Sequence, residues 1–326
     1  MKTRRLVLPA LILILTTAAV STHAQDQKRQ KLERPPAAKP THANVRYGPH
    51  ERNVIDLYLA DSNKPTPLVL YIHGGGFKAG DKRTISQGAL KSYGRRGVSM
   101  AAINYRFTDS APMPAAYLDC ARALQFIRHN AKKWNIDPKL IASTGSSAGA
   151  GTSLWIAFHD DLADPDSDDP VARESTRLTC AATHAGQCSY DPRFLEKLGA
   201  KRPNYERHSF FEPFYDIKLA EADTPKAYKL YDQAAPITYL TRDDPPVMMS
   251  YTRVNKPITE ETSLSDVVHH PLFGVKLKEE MEKLGLECLV VYRDAERGKI
   301  VQHGAKDQEP LNSVEFVMKQ FKKARR

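Results

Sequence analysis

Two glycine-rich turns hold the residues whose types and spacing could do chemistry: His73-Gly74-Gly75-Gly76-Phe77 and Gly145-Ser146-Ser147-Ala148-Gly149. The second fits the pattern G-x-S-x-G, with Ser147 at its centre. Such a turn between strand and helix pushes a serine oxygen into the open, and its small neighbours let the backbone pass closely. The first fits a His-Gly-Gly-Gly loop, whose main-chain N–H groups can receive a developing oxyanion. Either pattern alone occurs by chance. The two in this order, each after an apolar run, point to nucleophilic attack on a carbonyl.

The elements that must position these turns are legible around them. Pro67-Leu68-Val69-Leu70-Tyr71-Ile72 leads into His73, and Lys139-Leu140-Ile141-Ala142-Ser143-Thr144 leads into Gly145. Short apolar runs that stop at glycine read as buried parallel strands. After the second turn, Leu154, Trp155, Ile156 and Phe158 suit a buried helix. Asn53-Val54-Ile55-Asp56-Leu57-Tyr58-Leu59 alternates and reads as part of an early antiparallel pair. Residues 98–104 give another buried strand. Residues 117–134 form the clearest helix, with Cys120, Ala123, Leu124, Ile127, Ala131 and Trp134 on one face. That stripe is core. Residues 158–240 lack strand–helix alternation and are rich in Asp, Pro and aromatics; they read as an insertion near the mouth of the site. Val247-Met248-Met249-Ser250-Tyr251 resumes the strand pattern. Phe273, Leu277, Met281 and Leu284 mark a helix stopped by Gly285. Residues 286–292 read as the last strand, and Val314, Val317 and Phe321 mark a closing helix. The alternation predicts an α/β architecture: a doubly wound, mostly parallel sheet flanked by helices.

The chain has 326 residues and a formal net charge of +10. Lys2, Arg4 and Arg5, an apolar run over residues 6–20, and Thr22-His23-Ala24 read as a secretory signal peptide cut after Ala24. A retained anchor is the alternative, although the run is short for a membrane span. The expected organisation is a signal over 1–24, a polar, Pro-containing lead-in over 25–43 and one large α/β domain over 44–326. Export to the periplasm or medium is expected, with no stable membrane span after cleavage. The positive charges are scattered, and the cluster Lys322-Lys323-Ala324-Arg325-Arg326 suits a solvated helix end. Without an aromatic-interleaved basic patch, nucleic acid is not an expected partner. Of the four cysteines, Cys180 and Cys188 are close in sequence and could bridge in an oxidising compartment. The spacings are not those of a zinc site. The acidic run over 160–169 offers oxygen ligands but lacks EF-hand spacing, and reads as a solvated loop with Asp-Pro turns.

With these pieces in place, the chain resembles the α/β-hydrolase family. It is most similar to a secreted esterase/lipase branch that includes bacterial feruloyl and acetyl-xylan esterase-like (BD-FAE-like) domains and hormone-sensitive-lipase-like enzymes. The matching pieces are the His73–Phe77 turn, Ile103-Asn104-Tyr105-Arg106, Asp119 with Arg122-Ala123, Ile136-Asp137-Pro138, the turn around Ser147, and His303-Gly304. The resemblance is dense over 68–156 and thin over 158–240.

It implies a serine carboxylic-ester hydrolase working through an acyl-enzyme, without cofactor or metal. The substrate would be a small-molecule or carbohydrate-linked ester. Ser147 is then the nucleophile, and the oxyanion donors are the amides of Gly75, Gly76 and Ala148. Family order places the histidine last, which implies His303; His269 and His270 lie nearer the middle. The acid is implied after residues 247–251, where Thr252-Arg253-Val254-Asn255-Lys256-Pro257 has none. Asp266 is the first choice, with Glu260 and Glu261 as rivals. Asp243 and Asp244 precede the strand and read as loop residues. Two other functions share the fold: a serine peptidase, and a catalytically inactive binding protein that keeps the pocket.

Overall fold

In a computed structural model, residues 38–199, 210–304 and 309–326 are described. The signal segment and most of the lead-in lie outside them. Ala38–Arg326 forms one compact unit. Nine strands make one sheet: β1 (His42–Arg46), β2 (Val54–Tyr58), β3 (Thr66–Ile72), β4 (Ser99–Ile103), β5 (Ile136–Ser146), β6 (Cys180–His184), β7 (Val247–Val254), β8 (Cys288–Arg293) and β9 (Ile300–Gln302). Their spatial order is β1-β2-β4-β3-β5-β6-β7-β8-β9. The pairs from β4 through β8 are parallel. The outer pairs β1/β2, β2/β4 and β8/β9 are antiparallel.

The helices are α1 (Gln87–Gly94), α2 (Ala115–His129), α3 (Ala148–Phe158), α4 (Pro192–Lys197), α5 (Phe211–Tyr215), α6 (Pro225–Ala234), α7 (Leu264–Val268), α8 (Leu272–Lys283) and α9 (Ser313–Ala324). The period-2 alternation of β3 decides what each sheet face buries. Leu68, Leu70 and Ile72 pack with Leu124, Ile127 and Leu154 of α2 and α3. Val69, one residue out of phase, packs on the other face with Leu90 and Tyr93 of α1 and with Phe316, Val317 and Phe321 of α9. Both faces are covered, which is why β3 and β4 read as continuous apolar runs rather than alternating ones.

Three sequence expectations are corrected. The segment over 158–240 is not wholly an insertion, because it contains β6, a buried central strand between β5 and β7. Its Cys-Ala-Ala-Thr-His sequence has a single β-branched residue, so burial rather than propensity makes it a strand. The α2 helix ends at His129, earlier than the apolar stripe suggests; Ala131 and Trp134 join the same core from the turn that follows. Cys180 and Cys188 are free thiols on opposite faces of the sheet, and so do not bridge. The acidic run is turned on itself: Asp161 accepts from the amides of Ala163 and Thr176, and Asp169 pairs with Arg122.

The carboxyl ends of the parallel strands meet along one edge. The Gly-rich loop leaves β3 there, Ser147 leaves β5 and His184 ends β6. In open α/β sheets that edge is where ligands bind.

Candidate active site

Ser147 sits between β5 and α3 with φ +50° and ψ −120°, a conformation costly for a non-glycine residue. Close packing explains why its flanks are glycines. A Cβ on Gly149 would lie 2.1 Å from the Ile72 carbonyl oxygen. A Cβ on Gly145 would meet that oxygen at 2.6 Å and the Gly149 carbonyl oxygen at 2.5 Å. The turn therefore presses against the end of β3. The Ser147 amide donates to the His184 carbonyl at 3.0 Å, which ties the turn to β6 as well.

The neighbouring loop is held as tightly. Gly75 has φ +113°, and a Cβ there would lie 2.0 Å from the Ala79 carbonyl oxygen. Lys78 and Ala79 both donate their amides to the Gly75 carbonyl, closing a turn. Gly75, Gly76, Ser147 and Ala148 line one cavity of about 530 Å3. Its remaining wall is largely apolar, formed by Tyr190, Leu195, Phe210, Leu264, Val268 and Phe273.

His269 faces Ser147 across this cavity. Its Nε2 lies 2.9 Å from Ser147 Oγ, and its Nδ1 lies 2.9 Å from the main-chain oxygen of Ser265. A carbonyl oxygen only accepts, so Nδ1 carries the proton. Nε2 then has a lone pair, and the Ser147 hydroxyl donates to it. The short helix α7 produces this arrangement. Ser263 caps it by accepting from the Asp266 amide, and His269 follows its last turn. Gln187 clamps the same helix end, donating to the Val268 carbonyl and to that of Ala185. Burial lowers the pKa of His269 below its ordinary value. The Ser265 carbonyl opposes that shift, the Arg253 guanidinium adds to it, and the Asp266 charge opposes it. His184, half-buried at the end of β6, is lowered by burial and then by His269. Its Nδ1 is 3.2 Å from Ser250 Oγ.

The other expected residues fall elsewhere. His303 follows β9 and is not paired with Ser147. Its amide donates to the Val290 carbonyl, and its Nδ1 lies 3.1 Å from the Tyr292 hydroxyl. Asp266 bonds to neither histidine. It accepts from the Ser263 hydroxyl at 2.8 Å and pairs with Arg253 at 3.1 Å. Glu260 and Glu261 are exposed. His270 is buried, with Nε2 donating to the Lys256 carbonyl. Asp243 and Asp244 pair with Arg177 before β7 begins, at the far end of the strand from Ser147. One signal pointed toward His269: Ser263-x-x-Asp266 is a helix-start pattern, and the helix it opens ends at that histidine. The partner of Nδ1 left no signal, because every residue has a carbonyl.

The architecture is the α/β-hydrolase fold. It is shared with an acetyl ester-xyloside bifunctional hydrolase from Caldicellulosiruptor lactoaceticus, with a TM-score of 0.58 at 22% identity over 73% of this chain and 76% of that one. It is shared also with esterase 2 of Thermogutta terrifontis, with a TM-score of 0.56 at 17% identity over 87% of this chain and 92% of that one. In sequence the chain is similar to a probable carboxylic ester hydrolase, LipM, of Mycobacterium tuberculosis, 25% identical over 64% of this chain and 47% of the relative. It is 26% identical to the esterase LipQ of the same organism, over 63% of this chain and 46% of the relative. The chain thus spans about half the length of these curated relatives. The BD-FAE family model matches residues 55–265, from β2 to the start of α7, and the chain belongs to the BD-FAE family.

Proposed function

We propose that this chain is a serine carboxylic-ester hydrolase in which Ser147 is the nucleophile and His269 the general base, oriented by the Ser265 carbonyl. The observation that carries the reading is the relay of two 2.9 Å contacts from Ser147 Oγ through the imidazole to Ser265 O. In acylation, Ser147 Oγ bonds to the ester carbonyl carbon and its proton passes to His269 Nε2. The carbonyl oxygen takes up negative charge, and the amides of Gly75, Gly76 and Ala148 serve as its donors. As the intermediate collapses, the alkoxide leaves with the proton held on Nε2. Water then attacks the acyl carbon, giving a proton to the same nitrogen; the bond to Ser147 Oγ breaks, Oγ takes that proton back, and the carboxylic acid departs. The names of the relatives support ester substrates. The apolar cavity wall supports an apolar acyl group, since burying such surface gains roughly 25 cal/mol per Å2.

Labelling with a fluorophosphonate, followed by peptide mapping, tests the reading. The expected result is one adduct on Ser147, abolished in Ser147→Ala together with turnover of short and medium acyl esters, by a factor on the order of 10⁶. Folded protein that takes no label would be a binding module. Labelled protein that cleaves peptides and no esters would be a peptidase. We also propose that the chain is exported, on the signal pattern over residues 1–24. Amino-terminal sequencing of the protein recovered outside the cytoplasm should begin at Gln25, and an intact Met1 on cytoplasmic protein would refute it.

A further inference from the structure

We infer that Arg52, in the turn before β2, is a positioning residue for the oxyanion loop and acts both through His73 and directly on the Gly80 carbonyl. Its guanidinium joins two pieces of main chain and two rings. Nε donates to the Tyr105 carbonyl at 2.8 Å, and Nη2 donates to the Gly80 carbonyl at 3.1 Å and to His73 Nε2 at 3.3 Å. The same group lies 3.6 Å from the centre of the Phe107 ring. One planar cation with several fixed donors can span acceptors in this way, and a lysine ammonium cannot do so as well.

The consequences run through His73. Its ring is fully buried and stacked on Tyr105, with centroids 4.4 Å apart. Its Nδ1 donates to the Gly74 carbonyl at 2.7 Å, so Nε2 must be the acceptor for Arg52. Burial, with a smaller contribution from the Arg52 charge, holds the His73 pKa down at about 4 against the opposing Gly74 carbonyl and Asp81 charge, so the ring stays neutral and the tautomer fixed. The Gly74 carbonyl is thereby pinned immediately before Gly75 and Gly76. The Gly80 carbonyl, at the other end of the loop, is pinned by Arg52 directly. Both ends of the segment that carries the proposed oxyanion donors therefore depend on one side chain. No part of Arg52 lines the cavity. Its effect would fall on how the amides are aimed, not on how substrate is bound.

The test compares Arg52→Gln, Arg52→Lys, His73→Asn and the Arg52→Gln/His73→Asn double variant. Arg128→Gln serves as control. Arg128 likewise ties main chain together, donating to the carbonyls of Pro138, Ser175 and Arg177, but away from the site. Turnover of a p-nitrophenyl ester is expressed per site titrated by fluorophosphonate, so unfolded protein does not count. Arg52→Gln should lose about 10²-fold in kcat, the scale of one misaimed oxyanion donor, with KM little changed. Arg52→Lys should recover only part of that loss. The double variant should lose less than the product of the two single losses, because the contact through His73 is shared while the contact to the Gly80 carbonyl is Arg52's own. Arg128→Gln should lower the melting temperature and leave kcat intact. The inference is overturned if Arg52→Gln keeps its kcat, if it raises KM instead, or if the two losses multiply in the double variant. It rests on the ester-hydrolase reading. A folded wild type that turns over no ester ends both, whereas an active wild type with an unimpaired Arg52→Gln ends this inference alone.

Discussion

At the scale of single residues, the proton on His269 Nδ1 is committed to the Ser265 carbonyl, so Nε2 faces Ser147 Oγ with its lone pair. A carbonyl fixes the tautomer as a carboxylate would, but it brings a dipole rather than a full charge to the imidazolium that forms during reaction. The histidine is then left with a depressed pKa, chiefly through burial. The sign of the pH dependence follows. The neutral ring is the form that the proposed base must take, and a pKa below the usual 6.5 keeps it neutral at lower pH. The acid limb of kcat/KM should therefore have its midpoint below 6.5 and should not depend on His303. A midpoint above 6.5, as a carboxylate-paired imidazole would give, would contradict the assignment. Ser147 was legible from sequence because glycines punctuate its turn, and the packing of Gly149 on the Ile72 carbonyl gives the physical reason. The preference for His269 over His303 was not legible. The pairing of His269 with Ser147 spans 122 positions, and the histidine's own orienting group is main chain.

At the scale of elements, the site depends on α7, five residues long, with too few internal hydrogen bonds to stand alone. The Ser263 cap, the Gln187 clamp and the Arg253–Asp266 pair hold it. The last is half-exposed, and such pairs contribute about 0.2–1 kcal/mol. Asp266→Asn should accordingly change kcat by less than about tenfold, far from the roughly 10⁴ lost when a triad aspartate becomes asparagine. Steady-state kinetics on that variant measure the difference, and a loss near 10⁴ would restore Asp266 as the acid. The strands β3, β5 and β7 and the helices α3 and α8 were readable because each is an apolar run closed by glycine or a turn signal. The short β6 and α7 were not. Each takes its structure from neighbours already in place, which local sequence does not record.

At the scale of the whole molecule, one sheet with both faces covered separates two cores. That separation decides the fate of the cysteines. Cys180 packs with Val69 and Ala142 on one face; Cys188 lies on the other, donating its thiol to the Phe273 carbonyl at 3.3 Å. Burial raises the pKa of both thiols, which makes them unreactive in the folded protein. In denaturant without reductant, all four cysteines should titrate as thiols, and reductant should not shift the melting temperature. Two thiols instead of four, or a melting temperature that falls with reductant, would show a bridge worth about 2–4 kcal/mol. The mostly parallel sheet with helices on both faces follows from the alternation visible in sequence, whereas its central β6 and its edge strand β9 do not. The face each cysteine occupies does not, because a register shift of one residue in β6 would turn Cys180 to the other face and Cys188 lies in the loop that follows the strand.

The most direct measurement compares His269→Gln with His303→Gln, using ester turnover per folded molecule and circular dichroism to confirm the fold. His269→Gln should lose kcat by a factor on the order of 10⁴–10⁶, as removal of a catalytic base does. His303→Gln should lose only its contact with Tyr292 and stay within about tenfold of wild type, the range of an ordinary partly buried substitution. The reverse pattern, a crippled His303→Gln beside an active His269→Gln, would contradict the assignment of His269 as the base of Ser147.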